Sequence, residues 1–417
     1  MSEVLFLSHR IPYPPNKGDK IRSWHLLKAL TARHQVHLAS FVDDPDDLQH
    51  IATLRRHCGE VRIEALRPLP ARLRGLAGLA RGTSVTEGSY RSSAMRDWVR
   101  SLLERRPIEC VFVFSSAVAQ YAELPGVSYP RRVIDLCDVD SDKWRQYSRS
   151  GSRWVRWVYA LEARRLAAQE TRWVGEFDAT IVISAAEKKL LDGQCGRPER
   201  ISIVRNGVDT DYFDPTQAFS SPFQPDAQPI VFTGAMDYLA NVDGVEWFAQ
   251  SVLPRIREAC PRALFAIVGS NPAPRVRALT RLPGVMVTGS VADVRPYLVH
   301  AACAVVPLRI ARGLQNKLLE AMAMGRPTVT TRAGARGLTE GDSIPGVALA
   351  DDPDSFAGAV IARLERDARA SHNEPARRFA VDHYGWSANL RRFLELVDGC
   401  GLAASPAMRQ LQQGALS

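Results

Sequence analysis

The residues most able to do chemistry cluster in Pro307-Leu-Arg-Ile-Ala-Arg-Gly-Leu-Gln-Asn-Lys-Leu-Leu-Glu-Ala-Met-Ala-Met-Gly-Arg-Pro327. This segment lies between two apolar runs that read as buried strands. Gly313 breaks the chain after the first run, and a helix of about ten residues follows. Its end is marked by Met324-Gly325, where glycine suits a left-handed C-terminal cap. The first turn of such a helix carries backbone N–H groups with no partner inside the helix, which makes it a ready site for a diphosphate. Glu320 falls one to two turns in, where a carboxylate can accept two hydrogen bonds from a ribose diol. Lys317, with Arg309 or Arg312, supplies positive charge for phosphate.

Two segments of the first half also carry candidates. The strand-like run Val4–Leu7 leads into Ser8-His-Arg-Ile-Pro-Tyr-Pro-Pro-Asn-Lys-Gly-Asp-Lys20. There Gly18 lets the backbone approach a ligand just before a helix beginning near Lys20, and Lys17 and Lys20 add charge. The run Val133–Leu136 leads into Asp138, Asp140 and Asp142. A carboxylate at Asp138 could accept a hydrogen bond from a ligand hydroxyl or hold a cation. Asp140 and Asp142 read as caps or surface groups, Asp135 as part of the strand end, and His9 and His25 as structural.

The elements that must position these groups alternate. Apolar runs Val4–Leu7, Val36–Ser40, Val61–Leu66, Cys110–Phe114, Val133–Leu136, Ala179–Ile183 and Ile201–Val204 are separated by stretches of helical period. Ile230–Thr233, Leu264–Val268, Val285–Thr288, Ala304–Leu308 and Thr328–Thr330 continue the pattern. Continuous rather than alternating apolar runs predict strands covered on both faces, as in a parallel sheet. The fold class is therefore α/β, with two Rossmann-like domains. The expected division is a first domain over 1–212, a Pro-rich linker over 213–229, a second domain over 230–385, a last helical segment over 386–400 and a small, polar tail over 401–417.

Composition narrows the classes. The chain has 417 residues, 46% hydrophobic and 24% charged, as expected of a globular protein of about two domains. The net charge of +9 suits phosphate-bearing ligands or an anionic surface, and no nucleic-acid-binding motif accompanies it. Seven cysteines without a C-x-x-C pair predict neither a disulfide framework nor a zinc site, and fit a reducing cytoplasm. No apolar run reaches the roughly 18 residues of a membrane span, and the short N-terminal run does not read as a signal peptide. The Arg-rich stretches Arg67–Arg81 and Arg153–Arg172 stand out. In the second, Trp154, Trp157, Val158 and Leu161 share a helical face. That face either packs into the first domain or lies on an anionic membrane; Arg67–Arg81 has the same ambiguity.

The segment Gly313–Pro327 resembles the donor-binding motif of the retaining family 4 of glycosyltransferases, which have the GT-B fold. There a Glu, seven residues and a second Glu precede Ala-Met-Ala-x-Gly-x-Pro. Glu320 matches the second Glu, which in the family holds the nucleotide ribose. The first, which contacts the donor sugar, falls at Arg312, a departure from the pattern. Asp178–Ser184, the Asn206-Gly-Val-Asp209 turn and Phe232-Thr-Gly-Ala-Met236 agree in order and spacing, and Gly234 matches the backbone that approaches the diphosphate. Gly289-Ser-Val291 resembles the loop that grips the base, and Tyr384-Gly-Trp386 the crossing back to the first domain. Ser8–Lys20, Asp135–Trp144 and the loop Ala311-Arg-Gly-Leu-Gln-Asn-Lys317 resemble the sugar transferases found beside exosortase and exopolysaccharide gene clusters.

The resemblance implies transfer of a sugar from a UDP- or GDP-sugar to a glycan or polyprenyl-linked acceptor in exopolysaccharide biosynthesis, with retention and without a metal. The two sheets would face an interdomain cleft. Donor binding would involve Glu320, Gly234, Gly313, Leu314, Gln315, Asn316, Lys317, Arg309, Arg312 and Val291. Asp138 would be catalytic, standing near a position usually held by His, and Lys17 and Gly18 would line the cleft from the N-terminal side. The setting would be cytoplasmic, with peripheral contact at the inner membrane. The weighed alternatives are a catalytically degenerate scaffold, kept open by Arg312, and a sugar-nucleotide epimerase.

Overall fold

A computed structural model describes residues 2–15, 17–80, 82–149, 153–311, 313–338, 343–365 and 374–399. The expectations placed on Arg312 and on the tail 401–417 fall outside the described residues.

The first sheet contains β1 (Glu3–Ser8), β2 (Gln35–Val42), β3 (Val61–Ala65), β4 (Ile108–Phe114), β5 (Arg132–Cys137), β6 (Ala179–Val182) and β7 (Ile201–Ile203). The second contains β8 (Gln228–Thr233), β9 (Ala263–Val268), β10 (Val285–Gly289), β11 (Cys303–Val306), β12 (Thr328–Thr330) and β13 (Val347–Leu349). Their orders are β3-β2-β1-β4-β5-β6-β7 and β10-β9-β8-β11-β12-β13. All their pairings are parallel. Each sheet grows outward from its first strand and then reverses, between β1 and β4 and between β8 and β11. Ligands of open α/β sheets bind at the carboxyl ends of the strands flanking such a reversal.

The continuous apolar runs have the cause inferred from sequence. Along β1, Val4 and Phe6 belong to one buried cluster and Leu5 and Leu7 to another, so both faces of the strand are covered. β13 was not anticipated. It is a short edge strand of three half-buried residues, Val347-Ala-Leu349.

The chain divides into two compact units: Met1–Arg205 with the chain from Asn389 onward, and Asn206–Ala388. The last helix, Trp386–Asp398, gives the first unit Phe393, Leu394, Leu396 and Val397. The division precedes the Pro-rich segment 213–229. That segment packs onto the second unit because Phe213, Phe219 and Phe223 anchor it to the core between the prolines. The Arg295 guanidinium, 3.8 Å above the Tyr212 ring, holds its start.

Candidate functional site

In the second unit the switch point brings the end of β8 beside the helix Asn316–Ala323 that follows β11. Gly234 follows β8. A Cβ there would stand 2.8 Å from Asn241 Nδ2 and 3.1 Å from Lys317 Nζ, so the space beside this backbone is already taken by the site's own side chains. Asn241 comes from the next helix, Leu239–Trp247. Its amide is fixed at both ends: Nδ2 donates to the Ala235 carbonyl at 2.8 Å, and Oδ1 accepts from Lys317 Nζ at 2.5 Å. The Lys317 ammonium also lies 4.5 Å from the centre of the Phe232 ring.

Neither of these Lys317 partners carries a formal charge. Burial draws the Lys317 ammonium down to about 7, against a smaller opposing pull from Glu320. Burial likewise pushes the half-buried Glu320 carboxyl up to about 7, with Lys317 working the other way. Glu320 makes no hydrogen bond or ion pair among the described residues. A carboxylate and an ammonium one turn apart are thus both partly desolvated, and each is the other's counter-charge.

The start of the helix leaves backbone N–H groups outside its own hydrogen-bond ladder. Gln315, at the N-cap, is extended and offers no side-chain cap. Leu318 N donates to its carbonyl at 3.0 Å, so the N–H groups of Asn316 and Lys317 precede the intrahelical ladder. Asn316 Oδ1 is buried without a partner. Gly313 has φ +61°, and a Cβ on Gly337 would come 2.5 Å from the Gly313 carbonyl oxygen and 2.6 Å from Leu314 Cα. Gly337 therefore sets the path of the loop before the helix, and Leu314 packs against the core. The helix ends as expected, with Gly325 at φ +61°.

The other expected donor residues take different places. Arg309 is exposed and paired with Asp243, its Nε 3.0 Å from Oδ2. Its charge is already matched, which lessens its value for phosphate. Val291 is partly buried against the core, just after Gly289 at φ +71°.

In the first unit, Asp138 is exposed, between β5 and the helix Asp140–Tyr147. Asp135 is fully buried and holds Arg22, whose Nε and Nη2 lie 2.8 and 2.7 Å from Oδ2. Two non-glycine residues at strand ends have positive φ, Ser115 at 87° and Cys137 at 61°. Such sparsely populated backbone costs about 1–3 kcal/mol each and collects at functional sites. Asp135 props both: its carbonyl accepts from Ser115 N at 2.8 Å and its Oδ1 from Cys137 N at 2.9 Å.

Several expectations for this end need correction. Lys20 adds no free charge; it is buried and paired with Asp47 at 2.8 Å. Asp142 is buried rather than a surface group, bonded to Arg145 and Gln146. Asp140 accepts from Ser116 Oγ at 2.8 Å, tying the β4 loop to the helix after β5. His9 stacks on Phe114 with ring centres 5.8 Å apart, and its Nε2 lies 3.4 Å from Asp19 Oδ2. Burial works to raise the Asp19 carboxyl, but His9 and Arg10 together hold it well below the usual carboxylate range. Lys17 and Gly18 are exposed at the start of the helix Gly18–Thr31.

Sequence reading missed Asn241, Asp243 and the His9–Asp19 contact. Asn241 lies one helix beyond Gly234, and only its proximity to Lys317 gives it meaning. His9 had a usable signal: it directly follows a strand at a switch point. No group of three or more His, Cys, Asp or Glu among the described residues is arranged to hold a metal ion.

Residues 227–366 match the family model described as glycosyl transferases group 1, so a domain of that description occupies most of the second unit. No match to a curated protein is found. Among solved structures, the chain is similar to sucrose-phosphate synthase from Thermosynechococcus elongatus. That match has 18% identity, 99% of this chain and 100% of that one covered, and a TM-score of 0.67. It is also similar to HepE from Anabaena in complex with UDP-glucose, at 15% identity, 96% and 100% coverage and a TM-score of 0.62. A third is a TarM mutant from S. aureus in complex with fondaparinux, alpha-GlcNAc-glycerol and UDP, at 10% identity, 95% and 100% coverage and a TM-score of 0.62. At these identities the likeness defines the fold, which is GT-B.

Proposed function

We propose that the chain is a glycosyltransferase that moves a sugar from a UDP- or GDP-sugar to a hydroxyl of a glycan or polyprenyl-linked acceptor. The observation that carries this reading is the half-buried pair Lys317 and Glu320 on one helix face, in which the carboxylate accepts no hydrogen bond from a described residue and the ammonium is held by Asn241. Both lie within the segment that matches the glycosyl transferases group 1 description. A ribose diol would satisfy Glu320. The diphosphate would meet Lys317 and the N–H groups of Asn316 and Lys317, with the Gly313–Gln315 backbone and Gly234 close by. These groups stabilise charge as it develops on the departing diphosphate, and no metal is needed for that step. Asp138 is the candidate catalytic group, and the loop with Lys17 and Gly18 approaches the donor phosphates or the acceptor. Retention, a cytoplasmic setting with peripheral inner-membrane contact and a role in exopolysaccharide biosynthesis complete the proposal by resemblance.

The test is turnover. The protein is incubated with UDP- and GDP-sugars and polyprenyl phosphate or oligosaccharide acceptors, and release of nucleoside diphosphate is followed together with the anomeric configuration of the product. Acceptor-dependent release with retained configuration supports the reading. Nucleotide binding without release would favour the catalytically degenerate reading, for which Arg312 in place of the family Glu is the specific reason.

A further inference from the structure

Two helices of the first unit display large apolar side chains to solvent. In the helix Pro68–Ala80, Leu69, Leu73 and Leu76 are 74%, 69% and 54% exposed. Their i, i+4, i+7 spacing puts them on one face. The covered face of that helix is made of small residues instead, Ala71, Gly75 and Gly78. A Cβ on Gly75 would stand 2.5 Å from Ser89 Oγ, and one on Gly88 would stand 2.8 Å from the Arg74 carbonyl oxygen. Close packing against the short helix Val85–Ser89 is therefore made by glycines, and the leucines face outward. This inverts the arrangement of a helix that buries its apolar stripe in its own protein.

The second helix, Arg153–Glu176, carries Trp154 and Trp157, 71% and 54% exposed and stacked with ring centres 5.1 Å apart. Their shared face thus does not pack into the core, which corrects the more ordinary of the two expectations. Both helices are fixed to the same short element. Glu162, itself buried, accepts from Val85 N at 2.6 Å and from Thr86 N at 3.0 Å, and Arg165 Nη1 donates to the Thr83 carbonyl at 2.7 Å. Arg74 Nη2 donates to the Ser89 carbonyl at 3.2 Å.

In sequence, the stretches that carry these side chains hold charge of one sign. Arg67–Ser84 contains Arg67, Arg72, Arg74 and Arg81 and no Asp or Glu; Arg153–Leu161 contains Arg153 and Arg156 and no Asp or Glu. Exposed leucine and tryptophan set among arginines match the chemistry of an anionic lipid surface, where apolar side chains enter the acyl boundary and the guanidinium groups meet phosphate.

We propose that Leu69, Leu73 and Leu76, together with Trp154 and Trp157, insert into and seat the protein on an anionic phospholipid bilayer. The inference deepens the peripheral membrane contact of the proposed function and does not depend on sugar transfer. The test uses the full chain in co-sedimentation with phosphatidylcholine vesicles and with vesicles also carrying phosphatidylglycerol. The wild type is expected to sediment with the phosphatidylglycerol vesicles, less with phosphatidylcholine alone, and less as salt is raised. Leu69→Ser/Leu73→Ser and, separately, Trp154→Ala/Trp157→Ala should each weaken binding at least about tenfold, since each removes several apolar groups from the insertion. Their melting temperatures should stay near wild type because these side chains are exposed. Wild type that ignores anionic vesicles, or two variants that bind like wild type, would overturn the proposal. So would a wild-type dimer in light scattering that both variants dissolve, since the face would then serve self-association. Nucleotide binding followed in the same samples reports separately on the second unit.

Discussion

Lys317 Nζ lies 2.5 Å from Asn241 Oδ1 and 4.5 Å from the centre of the Phe232 ring, so the neighbours that hold this ammonium are polar or aromatic but uncharged. Burial has lowered it to about 7. An arriving diphosphate would add negative charge beside it and raise it again. Nucleoside diphosphate binding should therefore take up a proton near pH 8 and far less near pH 5. Calorimetry in buffers of differing ionisation enthalpy reads this directly. Lys317→Met should reduce the proton uptake, leaving only what Glu320 contributes, and weaken binding by about tenfold or more, the value of a charge-assisted contact.

The Gly337 contact gives a prediction at a residue that does not touch the proposed ligand. A methyl group there must displace the Gly313 carbonyl and Leu314, both within 2.6 Å of its position. Gly337→Ala should lower stability by about 1–3 kcal/mol and shift the start of the helix Asn316–Ala323. Nucleotide affinity should fall with it, whereas Gly358→Ala, with open space around its Cβ position, should leave affinity unchanged. Denaturant melts and nucleotide titrations of the two variants test this.

Asp135 both neutralises the buried Arg22 and props the strained backbone at Ser115 and Cys137. Asp135→Ala leaves a buried guanidinium without its carboxylate, a loss of about 3–5 kcal/mol. Urea unfolding should show it as a lower midpoint. Asp138→Ala, at an exposed position three residues on, should leave the midpoint within about 0.5 kcal/mol of wild type.

Glu170 supplies a pH signature. Burial pushes its carboxyl from 4.5 up to about 8, overriding the hydrogen bonds from Ser141. Because the folded value is raised, the folded state holds the proton more tightly than the unfolded chain. The stability this confers is complete below 4.5 and is lost as pH rises through about 8. Glu170→Gln has no such proton to lose. Its stability relative to wild type should improve steadily from pH 5 to pH 8 and level off above, in melts recorded across that range.

The α/β class and the parallel strands were legible because strands covered on both faces must be continuously apolar, as Val4–Leu7 is. Glycine and the helix after it marked the donor-type segment for a similar local reason: Gly313 and Gly325 both adopt the left-handed backbone that their positions require. Features made by distant residues left no local trace. Asn241 meets Lys317 across 76 positions, and Arg22 meets Asp135 across 113. The Pro-rich segment misled in the opposite sense, since prolines suggested a linker while Phe213, Phe219 and Phe223 tie it to the core. Lys20 shows the limit of reading charge from residue type, because Asp47 removes it from the surface.

The central claim is that Glu320 receives the ribose of a nucleotide, and a thermal-shift titration tests it most directly. Wild type and Glu320→Ala are melted with UDP, GDP, TDP and ADP over a range of concentrations. One of these nucleotides should stabilise wild type by about 2.7 kcal/mol at a hundredfold excess over its dissociation constant. The same nucleotide should give little or no shift with a folded Glu320→Ala. Equal shifts for the two proteins, or no shift of wild type with any of the four, would contradict the account.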